Sequence, residues 1–318
     1  MALFVLRRLA ATLVLLVVSS FVVFALLHVA PGSPLEVLTG GRRMSDQTLQ
    51  ALSTRYALDQ PFLAQYWRWL SNAVQGGFGE SIALRRPIGE LIVSRAPITL
   101  QLGALASFIA ITVGVGSGTV AALRRDRFAD RAISATVIGL AAIPAYLSGL
   151  LLILVFAVVL GWFPVFGTGE GLAGRLHHLV LPALALGFSL CALIARVTRA
   201  TMVEVLQQEY VEAARVRGLG ERRAVGKHAM RNALGPIITV SGLAAGYLIT
   251  GAVLVEVVFG LNGLGSLLID GVRGKDFAVV QAVALVFTAI FLLITLLVDV
   301  LYSLVDPRVA VSRRAARP

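Results

Sequence analysis

Long apolar runs separated by short charged segments make up most of the chain. Six runs are long enough to predict membrane-spanning helices, since a helix needs about 20 apolar residues to cross a bilayer. Pro97 and Pro182 are expected in the first turns of the second and fourth helices, and Pro144 predicts a kink in the third. The pattern therefore predicts an all-α integral membrane protein with six transmembrane helices, at residues 9–29, 97–122, 132–160, 179–195, 237–258 and 278–301.

The first run follows Arg7 and Arg8, as the apolar part of a signal peptide would. A signal peptide has only about 7–15 apolar residues before its cleavage site, whereas this run is longer and no good cleavage site follows it. We therefore expect a retained span and three regions: residues 1–30 with the first helix, an extracytoplasmic region 31–96, and a five-helix core 97–318. The extracytoplasmic region is too poor in apolar residues to be an independent catalytic domain.

Positive charge is unequally distributed between the two ends of the spans. The N-terminus, the loops 123–131 and 196–235, and the C-terminal tail carry two, four, eight and four Lys or Arg residues, respectively. The short loops on the opposite side carry one and two. The rule that basic loops stay in the cytosol does not apply to loops longer than roughly 60 residues, such as 31–96. Both termini and the loop 196–236 are therefore predicted to be cytosolic.

Composition favours a membrane protein over one that binds nucleic acid. Of the 318 residues, 58% are hydrophobic and 14% are charged, against about 25% charged residues in a soluble domain. The net charge of +11 is explained by basic cytosolic loops, so we expect a lipid bilayer and no nucleic acid as partner. Cys191 is the only cysteine, which excludes an intrachain disulfide and a cysteine-built metal site.

The sequence contains none of the common catalytic or nucleotide-binding motifs. It lacks the patterns GxxxxGK[ST], HExxH and GxSxG, so we expect neither an enzyme nor a cofactor, and any ATP would be hydrolysed by another subunit. Gly114, Gly116 and Gly118 lie in the middle of a span, which favours close helix packing over phosphate binding. His177 and His178 have no third ligand nearby, which favours interfacial histidines over a metal site.

Two acidic residues lie within predicted spans. Glu256 is near the outer end of the fifth span and Asp299 near the inner end of the sixth. Intramembrane acids are functional candidates by default, and they would serve an ion-driven secondary transporter. Because both lie near helix ends, where water lowers the cost of a charge, helix anchoring or packing is the preferred interpretation.

Residues 209–236, the main part of the cytosolic loop 196–236, form the longest basic stretch between closely spaced apolar runs. It predicts a short helix, a left-handed break at Gly218, and a second helix with Gly220 at its N-cap. Four positions of the first helix share one face at i, i+3, i+4 and i+7 spacing: Tyr210, Ala213, Ala214 and Arg217. On spacing alone, this face is equally well explained as a partner-docking surface or as a solvated linker.

The cytosolic loop resembles the EAA motif of the membrane subunits of bacterial ABC importers. Glu212, Ala213, Ala214 and Gly218 match that motif at the right spacing. The segment that follows, HAMRNALGP at residues 228–236, departs from the general motif but resembles the dipeptide, oligopeptide and nickel permease branch. Further segments resemble that branch in the same order along the chain: PGSP at 31–34, GGFGES at 76–81, LPA at 181–183, ARVTR at 195–199, EVVF at 256–259, DVLY at 299–302 and DPR at 306–308.

This resemblance implies the type I ABC importer permease fold in the inner membrane of a bacterium. It implies four kinds of partner: a second homologous permease subunit, two cytosolic ATPase subunits, an extracytoplasmic substrate-binding protein and the lipid bilayer. The substrates implied are di- or oligopeptides, with nickel complexes as the alternative, while an ion-driven transporter and a membrane enzyme are less well supported. The residues implied to couple the chain to the ATPases are Glu212, Ala213, Ala214 and Gly218, with Arg215 and Arg217 as rim charges.

Overall fold

A computed structural model describes residues 2–29, 39, 41, 44–56, 58–220 and 223–305. The PGSP and DPR segments at 31–34 and 306–308, which contributed to the resemblance, lie outside these described residues. Within them the chain is almost entirely helical and contains no β-strand. The helices are α1 Ala2–Val29, α2 Asp46–Tyr56, α3 Phe62–Val74, α4 Ile88–Leu123, α5 Phe128–Ala142, α6 Ala145–Leu152, α7 Gly171–Leu206, α8 Glu209–Val216, α9 Met230–Val258, α10 Leu264–Arg273 and α11 Phe277–Val305.

Five helices are long and apolar enough to cross a membrane: α1, α4, α7, α9 and α11. They contain the predicted first, second, fourth, fifth and sixth spans, but α4 and α7 each have 36 residues, which is about 54 Å of helix. The expectation that Pro97 and Pro182 lie in first turns is wrong, because both are inside longer helices. The length of an apolar run indicates only the part of a helix that lies within lipid. These helices continue beyond it into turns that contain charged residues, such as Glu90 and Arg95 in α4.

The third span is broken at Pro144, where α5 and α6 meet at an angle of 100°. Its two ends contact α7 at different levels, since Asp130 binds Arg199 whereas Gly149 lies against Ala185. These two positions on α7 are separated by about 21 Å of helix rise. The bent pair therefore crosses the bilayer as a sixth span, and the predicted kink at Pro144 is confirmed. After α6, residues Ile153–Val159 form the wider turns of a π-helix.

The centre of the bundle is the contact between α4 and α7, which pack closely through glycine. A Cβ atom on Gly114 would lie 2.8 Å from Cβ of Ile194, and one on Gly118 would lie 2.5 Å from the carbonyl oxygen of Ala195. No atom lies within 4 Å of the corresponding position on Gly116. The helix-packing interpretation is therefore confirmed for two of the three glycines.

Outside the bundle, the structure explains two local features of the extracytoplasmic region. The backbone N–H of Thr48 donates to Ser45 Oγ at 3.3 Å, which caps the start of α2. Asp276, which is buried just before α11, accepts hydrogen bonds from Ser81 Oγ at 2.7 Å and from the N–H of Ala83 at 3.0 Å. This carboxylate fastens the GGFGES segment to the outer end of the last span.

We predict that Gly118→Val destabilises the chain, whereas Gly116→Val leaves its stability nearly unchanged. Both substitutions change helix propensity equally, but only the first forces a side chain against the backbone of α7. Overpacking of this kind costs about 1–3 kcal/mol. Thermal unfolding of the purified chain in detergent measures the difference, and equal losses for the two variants would contradict the close α4–α7 contact.

Candidate functional site: the cytosolic loop

The short helix predicted at the start of the cytosolic loop is α8, Glu209–Val216. It begins directly after α7, where the carbonyl oxygen of Gln208 accepts from the N–H of Val211 at 3.0 Å. It ends at Gly218, whose φ of +81° places it in the left-handed region. Glycine adopts this conformation without the steric cost that other residues meet. The predicted helix end at Gly218 is therefore confirmed.

One side of α8 is attached to the bundle. Val211 is completely buried, and Asn232 Nδ2 on α9 donates a hydrogen bond to the hydroxyl oxygen of Tyr210 at 2.8 Å. Tyr210 was expected on the outward face, but this bond shows that its hydroxyl contacts α9. The residue as a whole remains exposed, at 42%. Tyr210 therefore helps to join α8 to the base of the fifth span.

The other side of α8 faces outward. The side chains of Glu212, Ala213 and Arg217 are exposed, as is Gly218, so four of the six predicted coupling residues lie on an accessible surface. Val216 is 83% exposed and was not predicted, although its position in the sequence between two arginines was a signal for it. The side chains of Ala214 and Arg215, the other two predicted residues, lie outside the described part of the chain.

The second helix of the cytosolic loop is continuous with the fifth span. The carbonyl oxygen of Gly220 accepts from the N–H groups of Arg223 and Ala224 at 2.9 and 3.1 Å, as expected of an N-cap. Residues Ala224–Ala229 form π-helical turns that pass directly into α9. The helix that contains the fifth span begins at Met230, before the predicted start of the span at residue 237, and Pro236 lies inside it.

A small apolar cluster joins the cytosolic ends of three spans beside α8. It contains the end of α4, the end of α7 and the start of α9, through the buried residues Ala122, Met202, Ala229, Ala233 and Ile237. Because protein interiors are closely packed, such a cluster transmits a displacement with little loss. The cluster therefore joins the ends of α4, α7 and α9 into one packed unit.

A bidentate ion pair fixes the broken third span to α7 at the same end of the bundle. Arg199 donates from Nε and Nη2 to the two carboxylate oxygens of Asp130, each at 2.6 Å. The N–H of Asp126 also donates to Asp130, at 3.0 Å, and the Asp130 side chain is only 4% exposed. This pair could not be predicted from the sequence, because its members lie 69 residues apart and the contact depends on tertiary structure.

Glu256 is held by the outer ends of other helices. It is completely buried and accepts from Thr99 Oγ1 at 2.7 Å and from the N–H of Ser266 at 3.0 Å. Thr99 Oγ1 in turn accepts from the N–H of Leu264 at 2.8 Å. A carboxylate at the N-terminus of α10 is favourably placed, so this arrangement supports the anchoring interpretation.

Asp299 also has a partner within the chain, which the sequence had not revealed. It forms an ion pair with Arg8 on α1, with 2.8 Å between Arg8 Nη1 and Asp299 Oδ2. The acid therefore ties the first span to the last near their cytosolic ends. Both intramembrane acids thus contribute to helix packing.

The two adjacent histidines contact backbone carbonyl groups near the outer side. His177 Nε2 lies 3.0 Å from the carbonyl oxygen of Trp162, and His178 Nδ1 lies 2.9 Å from that of Gly174. Among the described residues, no group of three or more His, Cys, Asp or Glu side chains is arranged to hold a metal ion.

We predict that Asp130→Asn destabilises the chain much more than Asp126→Asn. The first change leaves Arg199, which is 33% exposed, without its counter-ion, and the loss of such a charged hydrogen bond costs about 1.5–3 kcal/mol. Asp126 pairs with Arg125 but is 78% exposed, so its replacement costs at most about 1 kcal/mol. Thermal unfolding in detergent compares the two, and equal shifts would show that the buried ion pair does not stabilise the bundle.

Comparison with known proteins identifies the family to which this arrangement of spans and loop belongs. Residues 114–311 match the binding-protein-dependent transport system inner membrane component, and residues 1–103 match the N-terminal family of the same membrane components. The glutathione transport system permease protein GsiC of Escherichia coli K12 is 40% identical over 306 residues, which is 96% of this chain and 98% of that protein. GsiC of Shigella dysenteriae gives the same values.

A solved structure shows the same fold at lower sequence identity. An inward-facing conformation of the MetNI methionine ABC transporter matches with a TM-score of 0.58 at 20% identity, over 68% of this chain and 96% of that one. These similarities confirm the resemblance stated from the residues. The chain belongs to the family of binding-protein-dependent transport system inner membrane components, as a multi-pass permease of a bacterial ABC importer and not as an enzyme.

Proposed function

We propose that this chain is the permease subunit through which small peptides, delivered by an extracytoplasmic binding protein, cross the inner membrane. Two cytosolic ATPase subunits would supply the energy, and a second, similar permease subunit would complete the pathway. The observation that carries this proposal is the structure of α8, which is exposed on one side and joined to the bundle on the other.

The outward side of α8 has the properties of a docking surface. The absence of a large side chain at Ala213 lets a partner surface approach closely, while Glu212 and Arg217 supply charges at its edge. Val216 adds an exposed apolar contact of the kind that becomes buried when a partner binds. We infer that these residues, with Ala214, Arg215 and Gly218, contact the ATPase subunits.

The inward side of α8 suggests how movement is transmitted. When the two ATPase subunits close together around bound ATP, α8 would be displaced. The Tyr210–Asn232 hydrogen bond would pass that displacement to α9. The apolar cluster beside it would carry α4 and α7 along. The bundle would then rock as a rigid body between inward and outward openings.

The assignment of peptides rests on the relatives. GsiC is named for glutathione transport, and glutathione is itself a small peptide. The resemblance of residues 228–236 to the peptide and nickel permease branch points the same way.

We predict that Gly218→Val abolishes transport, whereas Gly220→Val largely preserves it. Neither glycine has a neighbouring atom within 4 Å of an added Cβ, but only Gly218 has a positive φ. A β-branched residue is disfavoured there by about 1–2 kcal/mol, so the end of α8 would rearrange. Uptake and substrate-stimulated ATP hydrolysis are measured in the reconstituted complex. Normal values of both for Gly218→Val would contradict the coupling role of this turn.

We predict that liposomes containing this chain with its complete set of partners take up glutathione or a dipeptide only when ATP is present inside. The same liposomes without the binding protein serve as the control. ATP-dependent uptake of a nickel complex, with no uptake or competition by peptides, would contradict the substrate assignment alone. Uptake by this chain without nucleotide would contradict the importer mechanism itself.

A further inference from the structure

The helix α3 of the extracytoplasmic region packs sideways against the first span. The ring centroids of Phe62 and Phe21 are 5.7 Å apart, those of Tyr66 and Phe21 are 5.2 Å apart, and those of Trp69 and Phe24 are 5.5 Å apart. These contacts place α3 beside the outer part of α1. The proposed transport mechanism does not require this arrangement.

The depth of α3 in the membrane follows from the hydrogen bonds of Tyr66. Its hydroxyl lies 2.9 Å from Ser20 Oγ and donates to the carbonyl oxygen of Val17 at 3.2 Å. The ion pair of Arg8 with Asp299 marks the cytosolic end of α1, and Ser20 is about 18 Å of helix rise beyond it. Val17 is about 14 Å beyond it. Because the hydrocarbon core is about 30 Å thick, the Tyr66 hydroxyl contacts α1 near the middle of the core, and α3, which reaches it from the outer side, lies at the level of the outer leaflet.

At this level, α3 presents a stripe of four large apolar side chains, three of them exposed and one, Leu70, half-buried. They recur at i, i+4, i+7 and i+11, which places Leu63, Trp67, Leu70 and Val74 on one side of the helix. Leu63 and Trp67 are each 61% exposed, and Val74 is 81% exposed. The side of α3 that faces the protein contains Tyr66, which is only 3% exposed. The helix therefore has two apolar sides, of which only one is covered by this chain.

A cleft of about 810 Å³ lies between α3 and the start of α4. Its apolar lining includes Phe24, Phe78 and Val93, and Arg68 contributes a positive charge. Glu90 also lines it, 3.7 Å from Arg86. Within the described part of the chain, Arg68 has no acidic partner. An arginine next to exposed tryptophan and aliphatic side chains matches the boundary between phosphate groups and acyl chains.

We propose that α3 is embedded in the outer leaflet of the bilayer and that phospholipid covers its exposed side. The stripe defined by Leu63, Trp67, Leu70 and Val74 contacts acyl chains, and Arg68 lies at the level of the phosphate groups. The extracytoplasmic region is thus partly a membrane-bound structure, and α3 supports the outer half of α1. This inference does not depend on the substrate or on the coupling role of α8.

Spin labels attached to single introduced cysteines test this proposal in the assembled complex in lipid discs, with partner subunits that carry no reactive cysteine. The unsubstituted chain, whose only cysteine is buried, measures background labelling. At Trp67→Cys and Val74→Cys, we expect faster collision with oxygen, which concentrates in lipid, than with a water-soluble nickel chelate. At Asn72→Cys, which is exposed on the side of α3 opposite the stripe, we expect the reverse order, and at Arg68→Cys we expect similar rates.

Two outcomes would overturn the proposal. Faster collision with the nickel chelate at residues 67 and 74 would place the stripe in water. Low collision rates with both reagents, together with an immobilised label, would show that another protein subunit covers it. Leu63→Cys provides a further labelling site on the same stripe if Trp67→Cys prevents assembly.

Discussion

The structure depends on the close contact of α4 with α7, because burial of apolar side chains gives little drive for association between helices already surrounded by lipid. Van der Waals packing must then hold the bundle together, and it requires small residues where two backbones approach. Gly114 and Gly118 supply this contact. The third and fifth spans pack against the pair, whereas α1 packs on α11. Helix α7 is the most buried of the five long spanning helices.

Polar contacts add specificity to this packing at both ends of the bundle. The pair Asp130–Arg199 fixes the broken third span near the cytosol, and Glu256 fastens α9 to α10 near the outer face. Between them lies a largely apolar interior. On the proposed mechanism, α8 moves against this rigid assembly, which lets a displacement of one short helix become a change in the whole bundle. A loosely packed bundle would absorb that displacement locally.

The positions of the spans could be predicted from the sequence because lipid requires a minimum apolar length, and the helix end at Gly218 could be predicted because few other residues adopt a left-handed conformation. The start of α4 at Ile88 could not, since Glu90, Arg95 and Pro97 interrupt the apolar run before the predicted span. Arg8, the partner of Asp299, and Thr99, a partner of Glu256, were also missed, since each lies on a helix distant in sequence. The exposure of Val216 became clear only from the structure, because the burial of Val211 shows which side of α8 faces outward.

The first span is attached to the last at two levels. Arg8 binds Asp299 near the cytosol, and Gln281 Nε2 donates to the carbonyl oxygen of Val23 near the outer face, at 3.1 Å. Two separated attachment points prevent one helix from sliding along the other or rotating relative to it. Helices α1 and α11 therefore form one rigid pair, and both must move in the same direction when the transporter opens.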